Sequence, residues 1–396
     1  MTLIAQADSA APYGTAQLPN GAAEVRFPFA LLANAIFFDA AVNGKGPHLF
    51  ALDTGSTNTV IASERIAELG IATGSQMHTS GAGSDMNMAV KIEQLDVTLP
   101  RGVRRTTKQG TAISMAGLWP LIGRPIYGDL GYDIIEPFVV EIDYGKRVMA
   151  LHDPSTYRYR GSGTTLPMRL YGAYDPQIEG AMVVPGQAPI PVRFTIDTGA
   201  GGTIVSSPLV DKYHLLAAVG RTIAAEDRGV GGAEPSEVFA RLSAFRIGPY
   251  AVPAPVVALS RDTAGSLANE AISVNLGGNI LRRFTVIIDY SRKQLTLEPN
   301  EHLNDPFLAD ASGLLLEAVG DDFRTMVVNG ILPESPASEA EFRRGDRITA
   351  IDGRPVSGFA LWQLQDALKR SGTSVKVSVQ RGPSTFVRTL HLKALI

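Results

Sequence analysis

Two stretches of this 396-residue chain repeat one pattern. Phe50-Ala51-Leu52-Asp53-Thr54-Gly55-Ser56-Thr57-Asn58-Thr59-Val60-Ile61 and Phe194-Thr195-Ile196-Asp197-Thr198-Gly199-Ala200-Gly201-Gly202-Thr203-Ile204-Val205 each run an apolar strand into Asp-Thr-Gly. Each then passes a small residue and re-enters a β-branched strand. At average composition a chain of this length has about a one in ten chance of holding one Asp-Thr-Gly, so a single copy would mean little. Two copies with matching flanks, 144 residues apart (197 minus 53), mark an internal duplication. It sets two carboxylates on equivalent turns.

The flanks extend the match to whole lobes. Asn34–Val42 and His48–Leu52 read as strands around the turn Asn43–Gly46, whose Asn-Gly is a hairpin signal that delivers Asp53 to a strand end. Ser63–Gly70 reads as a short helix with Ser63 as its cap and Gly70 as its stop. Ser207–Leu215, with Pro208 in its first turn, answers it in the second unit. Gly-rich hairpin tips follow at 80–88 and 228–235. Leu130-Gly131-Tyr132-Asp133-Ile134-Ile135 is answered by Leu276-Gly277-Gly278-Asn279-Ile280-Leu281. Phe-x-Val-x-Ile-Asp-Tyr at 138–144 recurs at 284–290, an offset of 146 (284 minus 138). The expected units are an N-terminal extension over 1–23, lobes over 24–155 and 156–300, and a further domain over 307–396. That last domain reads as strands at Gly313–Glu317, Thr325–Val328, Arg347–Ile351, Ser374–Val379 and Thr385–Leu392, with a helix over Phe359–Lys369.

Two carboxylates facing each other across a pseudo-twofold axis cannot both ionise cheaply, so the pair holds one proton over a broad acidic range. Such a dyad carries a base for a water molecule and an acid for a peptide carbonyl together, with no metal or covalent intermediate. Asp53 and Asp197 are the candidate catalytic pair. Gly55 and Gly199 would let backbone approach closely and supply N–H donors to the carboxylates. Thr54 and Thr198 are placed to hydrogen-bond across the lobe interface. Ser56 offers Asp53 a hydroxyl donor where Ala200 offers Asp197 none, so Asp53 is expected to be the more ionised member. Gly81 and Gly83 in one tip, and Gly229, Gly231 and Gly232 in the other, are the candidate flaps that close over substrate.

Composition narrows the alternatives. The chain has no cysteine, which removes disulfides, thiolate metal sites and a Cys nucleophile. The six His are scattered without ligand spacing, so no metal or other cofactor is expected. A net charge of −3 gives no electrostatic case for nucleic acid or an anionic membrane, and no apolar run reaches the ~20 residues of a membrane span. The Ala-, Ser-, Pro- and Gly-rich residues 1–22 read as a mature extracytoplasmic N-terminus from which a leader has been trimmed. The expected location is periplasmic or secreted, with the cytoplasm as the alternative.

The duplicated Asp-Thr-Gly, with Leu-Gly downstream of each copy, resembles pepsin-type and retroviral-type aspartic proteases. The short lobes, the missing cysteines and Leu276-Gly277-Gly278-Asn279-Ile280-Leu281 look more like retropepsins fused into one chain. The resemblance covers about 24–300 and implies a mostly β, bilobal fold with a pseudo-twofold axis and Asp53 and Asp197 as catalytic residues. Neither tip carries the Tyr of pepsin-like flaps, which retropepsins also lack. The C-terminal domain resembles a small α+β PDZ domain of the bacterial protease type. The match runs through Gly313-Leu314-Leu315-Leu316, then 328–340, then Phe342–Pro355. It implies that Gly313 to Leu316 bind an extended peptide, such as a protein C-terminus, as an added strand. This loop has one glycine where relatives usually have two, and Glu341 stands where glycine is common.

The expected function is therefore a bacterial aspartic endopeptidase acting on protein or peptide substrates, with a PDZ domain that recruits or occludes. Both half-sites lie in one chain, so dimerisation is not required. The rival is a catalytically inactive bilobal peptide-binding scaffold. A third possibility is a self-processing zymogen in which residues 1–22 cover the cleft.

Overall fold

The computed structural model describes residues 16–80, 86–225 and 237–396. Two large curled sheets, of eleven and ten strands, form the lobes, and a six-stranded sheet runs beneath both. A second six-stranded sheet, with its own core, forms the C-terminal domain.

The lobes are built alike because their sequences punctuate alike. In the first, Ala35–Val42 and Lys45–Leu52 make the expected hairpin around Asn43 and Gly44, whose φ values of 51° and 75° suit a tight hairpin turn. The short strand Gly128–Leu130 lies parallel to Lys45–Leu52 and antiparallel to Thr59–Ala62. The second lobe repeats this with Val274–Leu276 between Ile190–Ile196 and Ile204–Val205. Phe50, Leu52, Ile61 and Leu130 in one lobe, and Phe194, Ile196, Val205 and Leu276 in the other, are buried around these junctions. Burial of such side chains contributes ~1.5–3 kcal/mol each and fixes the strand ends that carry the two aspartates.

The six-stranded sheet joins the halves in the order Thr164–Pro167, Gln294–Pro299, Phe284–Asp289, Val139–Asp143, Val148–His152, Glu24–Pro28. At its centre Val139–Asp143 and Phe284–Asp289 pair antiparallel, with Glu141 opposite Ile287. Those two residues are 146 apart, the offset of the repeat itself, so the pseudo-twofold axis passes through their pair. Asp143 and Asp289 end the two hairpins as turn residues, accepting from the N–H groups of Lys146 and Arg292.

Smaller expectations shift. Ser63 is the first residue of its helical turn rather than the cap, because Ala62 holds the extended backbone of the capping position. The stretch splits into a 3-10 turn at Ser63–Arg65 and an α-turn at Ile66–Leu69, ended by Gly70 at φ 62°. The C-terminal helix is Leu361–Ala367, shorter than the sequence pattern suggests.

Arg283 ties the second lobe to the linker that follows it. Its guanidinium is buried against the Phe307 ring and donates to the carbonyls of His302, Leu303 and Asp305 at 3.0, 2.9 and 2.7 Å. Burial pushes this guanidinium down to about 10. In the C-terminal domain the edge strand Leu314–Val319 pairs with Thr325–Ile331 and faces the helix Leu361–Ala367. The first lobe's turn Trp119–Ile122 packs against both. A Cβ placed on the next residue, Gly123, would lie 2.9 Å from Leu361 Cβ and 3.8 Å from Ala318 Cβ.

Candidate active site

Asp53 and Asp197 meet at the floor of the cleft between the lobes. Each leaves its strand where the chain hydrogen-bonds to the Leu-Gly segment of its own lobe, Asp53 N–H to Leu130 O at 3.0 Å and Asp197 N–H to Leu276 O at 3.1 Å. Gly131 and Gly277 are needed there, since a Cβ on Gly131 would sit 2.7 Å from Ser56 O and one on Gly277 would overlap Gly202 O.

The threonines cross the interface reciprocally. Thr54 N–H donates to Thr198 Oγ1 at 3.2 Å and Thr198 N–H to Thr54 Oγ1 at 3.1 Å. Thr54 Oγ1 donates onward to Ile196 O at 2.6 Å, and Thr198 Oγ1 to Leu52 O at 2.8 Å. Both side chains are fully buried, so each hydroxyl both accepts and donates inside a dry interface. The glycines lie against the opposite carboxyl. A Cβ on Gly55 would be 3.1 Å from Asp197 Cγ, and one on Gly199 would be 2.6 Å from Asp53 Cγ.

Backbone symmetry ends at the donors. Asp53 accepts one N–H, from Gly55 at 2.8 Å. Asp197 accepts those of Gly199 and Ala200, both at 2.9 Å, and the side-chain amide of Asn275 at 2.6 Å. Ser56 does not assist Asp53, because its hydroxyl donates to Asn58 O at 2.8 Å. Burial and then the charges of Asp197 and Asp129 push Asp53 well above the usual carboxylate range. This runs against the sequence expectation that Asp53 is the more ionised member: its carboxyl is raised and has one donor, where Asp197 has three.

Asn275 and its first-lobe counterpart Asp129 (129 plus 146 is 275) went unmarked in the sequence. The signal was present: Gly128-Asp129-Leu130-Gly131 aligns with Val274-Asn275-Leu276-Gly277 on the same offset. One step further, Asp133 and Asn279 form another such pair. Thr59 Oγ1 donates to Asp133 Oδ1 at 3.0 Å, and Thr203 Oγ1 to Asn279 Oδ1 at 2.6 Å. Burial pushes Asp133 up to about 6 and Asp129 up to about 7, with Asp197's charge adding to the latter. Asp175, buried at the cleft wall, is likewise raised to about 7 by burial and by Asp197.

The two carboxyls open into a cavity of about 1580 Å³ that runs between the lobes and reaches Leu314, Leu315, Leu316, Leu368 and Lys369 of the C-terminal domain. That exceeds the roughly 300–1,000 Å³ of ordinary small-molecule pockets and suits an extended chain. Thr73–Ser80 pairs with Met86–Ile92, and Ile223–Ala225 with Glu237–Arg241, of which Ile223, Glu237 and Phe239 line the cavity. The candidate flap glycines Gly81, Gly83, Gly229, Gly231 and Gly232 lie outside the described residues. Among the described residues no group of three His, Asp or Glu side chains is arranged to hold a metal ion, and no helix is long and apolar enough to cross a membrane.

The C-terminal loop is partly occupied by its own chain. Gly313, at φ 78° with Ser335 Oγ where a Cβ would stand, donates its N–H to Asp310 Oδ2 at 2.5 Å. Leu314 N–H donates to Ser312 Oγ at 3.0 Å. Leu314 and Leu316 point into the domain core, while Leu315 is half-buried.

A family model described as aspartyl protease matches residues 38–103, and one described as PDZ domain matches residues 327–381. No curated protein matches the chain significantly. Among solved structures, the aspartic proteinase from Irpex lacteus is similar at 13% identity, with 72% of this chain and 99% of that chain covered and a TM-score of 0.48. This chain therefore joins an aspartyl-protease-type domain to a PDZ domain, in a mostly β fold.

Proposed function

We infer that the protein is an aspartic endopeptidase that hydrolyses peptide bonds with Asp53 as acid and Asp197 as base. The observation that carries this reading is the unequal donor count on the two carboxyls, one for Asp53 and three for Asp197. It splits a symmetric pair into a protonated and an ionised member, which is what the two proton transfers require. Asp197 takes a proton from a water held between the carboxyls, and the water oxygen attacks the peptide carbonyl carbon. Asp53 gives its proton to the carbonyl oxygen, yielding a neutral tetrahedral diol. On collapse the C–N bond breaks, the proton on Asp197 passes to the leaving amine, and a diol proton returns to Asp53. The threonine network keeps both turns in register, so the two carboxyls are positioned before substrate arrives.

The PDZ domain serves this cleft by recruiting peptide. Its groove opens into the shared cavity at Leu314–Leu316 and Leu368, and the first lobe's Trp119–Gly123 closes the groove at Ala318 and Leu361. A recruited chain thus leaves the PDZ groove toward Asp53 and Asp197.

The test is cleavage of an unfolded protein such as casein between pH 3 and 7. Wild type is expected to cut, and Asp53→Asn and Asp197→Asn are each expected to lose at least a thousandfold in rate. Wild type that binds peptide but leaves it intact at every pH would replace this reading with the non-catalytic scaffold.

A further inference from the structure

The strand Gly128–Leu130 holds a carboxylate whose chemistry the dyad does not use. Asp129 lies beside Ala51 on one flanking strand and Val60 on the other, two positions from Asp53 along the first of these. Residues paired across such strands share a face, so its side chain stands with Ala51 and Val60 on the cleft wall of the first lobe. That wall is apolar: Phe37, Ile113 and Ile126 belong to one cluster with Ala51, and Val60 and Ile122 pack against it. All of them line the cavity, and Asp129 is half-buried among them.

Asp129 forms no hydrogen bond or ion pair with any described side chain, whereas its counterpart Asn275 commits its amide to Asp197. A carboxylate at the wall of an apolar pocket is expensive to ionise unless a cation joins it. Of the two flanking strands, Thr59–Ala62 has no titratable residue and Lys45–Leu52 has Lys45 and His48, both engaged by Glu68, so the charges acting on Asp129 are those of the acids Asp53 and Asp197. The missing cation must come with the ligand.

We propose that Asp129 is a specificity-determining residue that selects a lysyl or arginyl side chain next to the scissile bond, in a pocket on the first-lobe side of the cleft. The apolar wall takes the methylene stem, and Asp129 takes the terminal charge. This rests on the proteolytic reading for its substrate but not for the pocket itself. Because burial and Asp197 hold Asp129 up to about 7, it is neutral in acid and ionises as pH rises, so the preference grows between pH 5 and 7.5.

The experiment uses the full chain and matched peptides carrying lysine or norleucine at each of the two positions flanking the cut. Hydroxyethylene analogues of the same peptides, which cannot be cleaved, serve as binding probes by calorimetry. For wild type at pH 7 the lysine-to-norleucine ratio of kcat/KM, and of affinity, is expected to be at least tenfold at one of the two positions. Asp129→Asn and Asp129→Leu should bring that ratio to about one or below, whatever they do to the absolute rate. A wild-type ratio of one, a ratio unchanged in both variants, or failure of the lysine analogue to bind would overturn the proposal. If neither peptide is cut while the analogues still discriminate through Asp129, the pocket stands and the endopeptidase reading falls.

Discussion

The two lobes share a backbone plan but differ at the positions that set charge. Where the first lobe has Asp129 and Asp133, the second has Asn275 and Asn279. The hydrogen-bonding frame tolerates both: Thr59 donates to a carboxyl oxygen in one lobe as Thr203 donates to an amide oxygen in the other. An amide, however, can also donate, and Asn275 does so to Asp197. Duplication therefore supplies the fold and divergence at these pairs supplies the polarity: a proton-rich first half and a donor-rich second half.

The largest expected effect comes from erasing that difference at the dyad. Asn275→Asp removes a 2.6 Å donor from Asp197 and adds a like charge beside it, and steady-state kinetics should show a loss on the order of a thousandfold. An unchanged rate would mean that the asymmetry lies elsewhere.

Next is Asp133→Asn, which makes the first lobe resemble the second. Asp133 is fully buried, which raises its carboxyl from the ordinary 3.8 to about 6. The folded state then binds more protons than the unfolded chain between those values, so stability is complete in acid and declines as pH rises toward 6. The decline approaches ~3 kcal/mol above pH 6. Denaturant unfolding from pH 4 to 7 should show this slope in wild type and flatten it in the variant.

Where the lobes agree, substitutions should agree too. Thr54→Ala and Thr198→Ala each leave a buried N–H and a carbonyl without partners, and each should cost about 2 kcal/mol in equilibrium unfolding. Costs that differ by more than about 1 kcal/mol would break the symmetry of the grip. The smallest effect belongs to the pH profile of Asp129→Asn. Removing a like charge beside Asp53 lowers that residue's hold on its proton, so the alkaline limb of activity should move down by a fraction of a unit.

Much of this was legible beforehand because duplication is visible as spacing. The hairpins, the Leu-Gly turns and the crossing threonines all follow from residues that recur 144 to 146 apart. What was not legible were the directions in which side chains turn. Ser56 reads as a donor to Asp53 by proximity, yet the nearby Asn58 carbonyl captures its hydroxyl. Gly313 opens the loop that reads as peptide-binding, and nothing in the sequence shows that its N–H is already engaged by the Asp310 carboxyl. Asp133 and Asn279 stood within the aligned stretches, but their difference carries meaning only once burial is known.

The axial pair Glu141–Ile287 bears on what each half would do if cut from the other. A separated half exposes the raw edge of its central strand and can restore the lost ladder by pairing with a copy of itself. For the first half that places Glu141 against Glu141, a like-charge clash at the seam; for the second it places Ile287 against Ile287. Sedimentation of the isolated halves should therefore find the second self-associating more tightly than the first. A charge on the axis would then act as a guard that keeps the first half waiting for its own continuation.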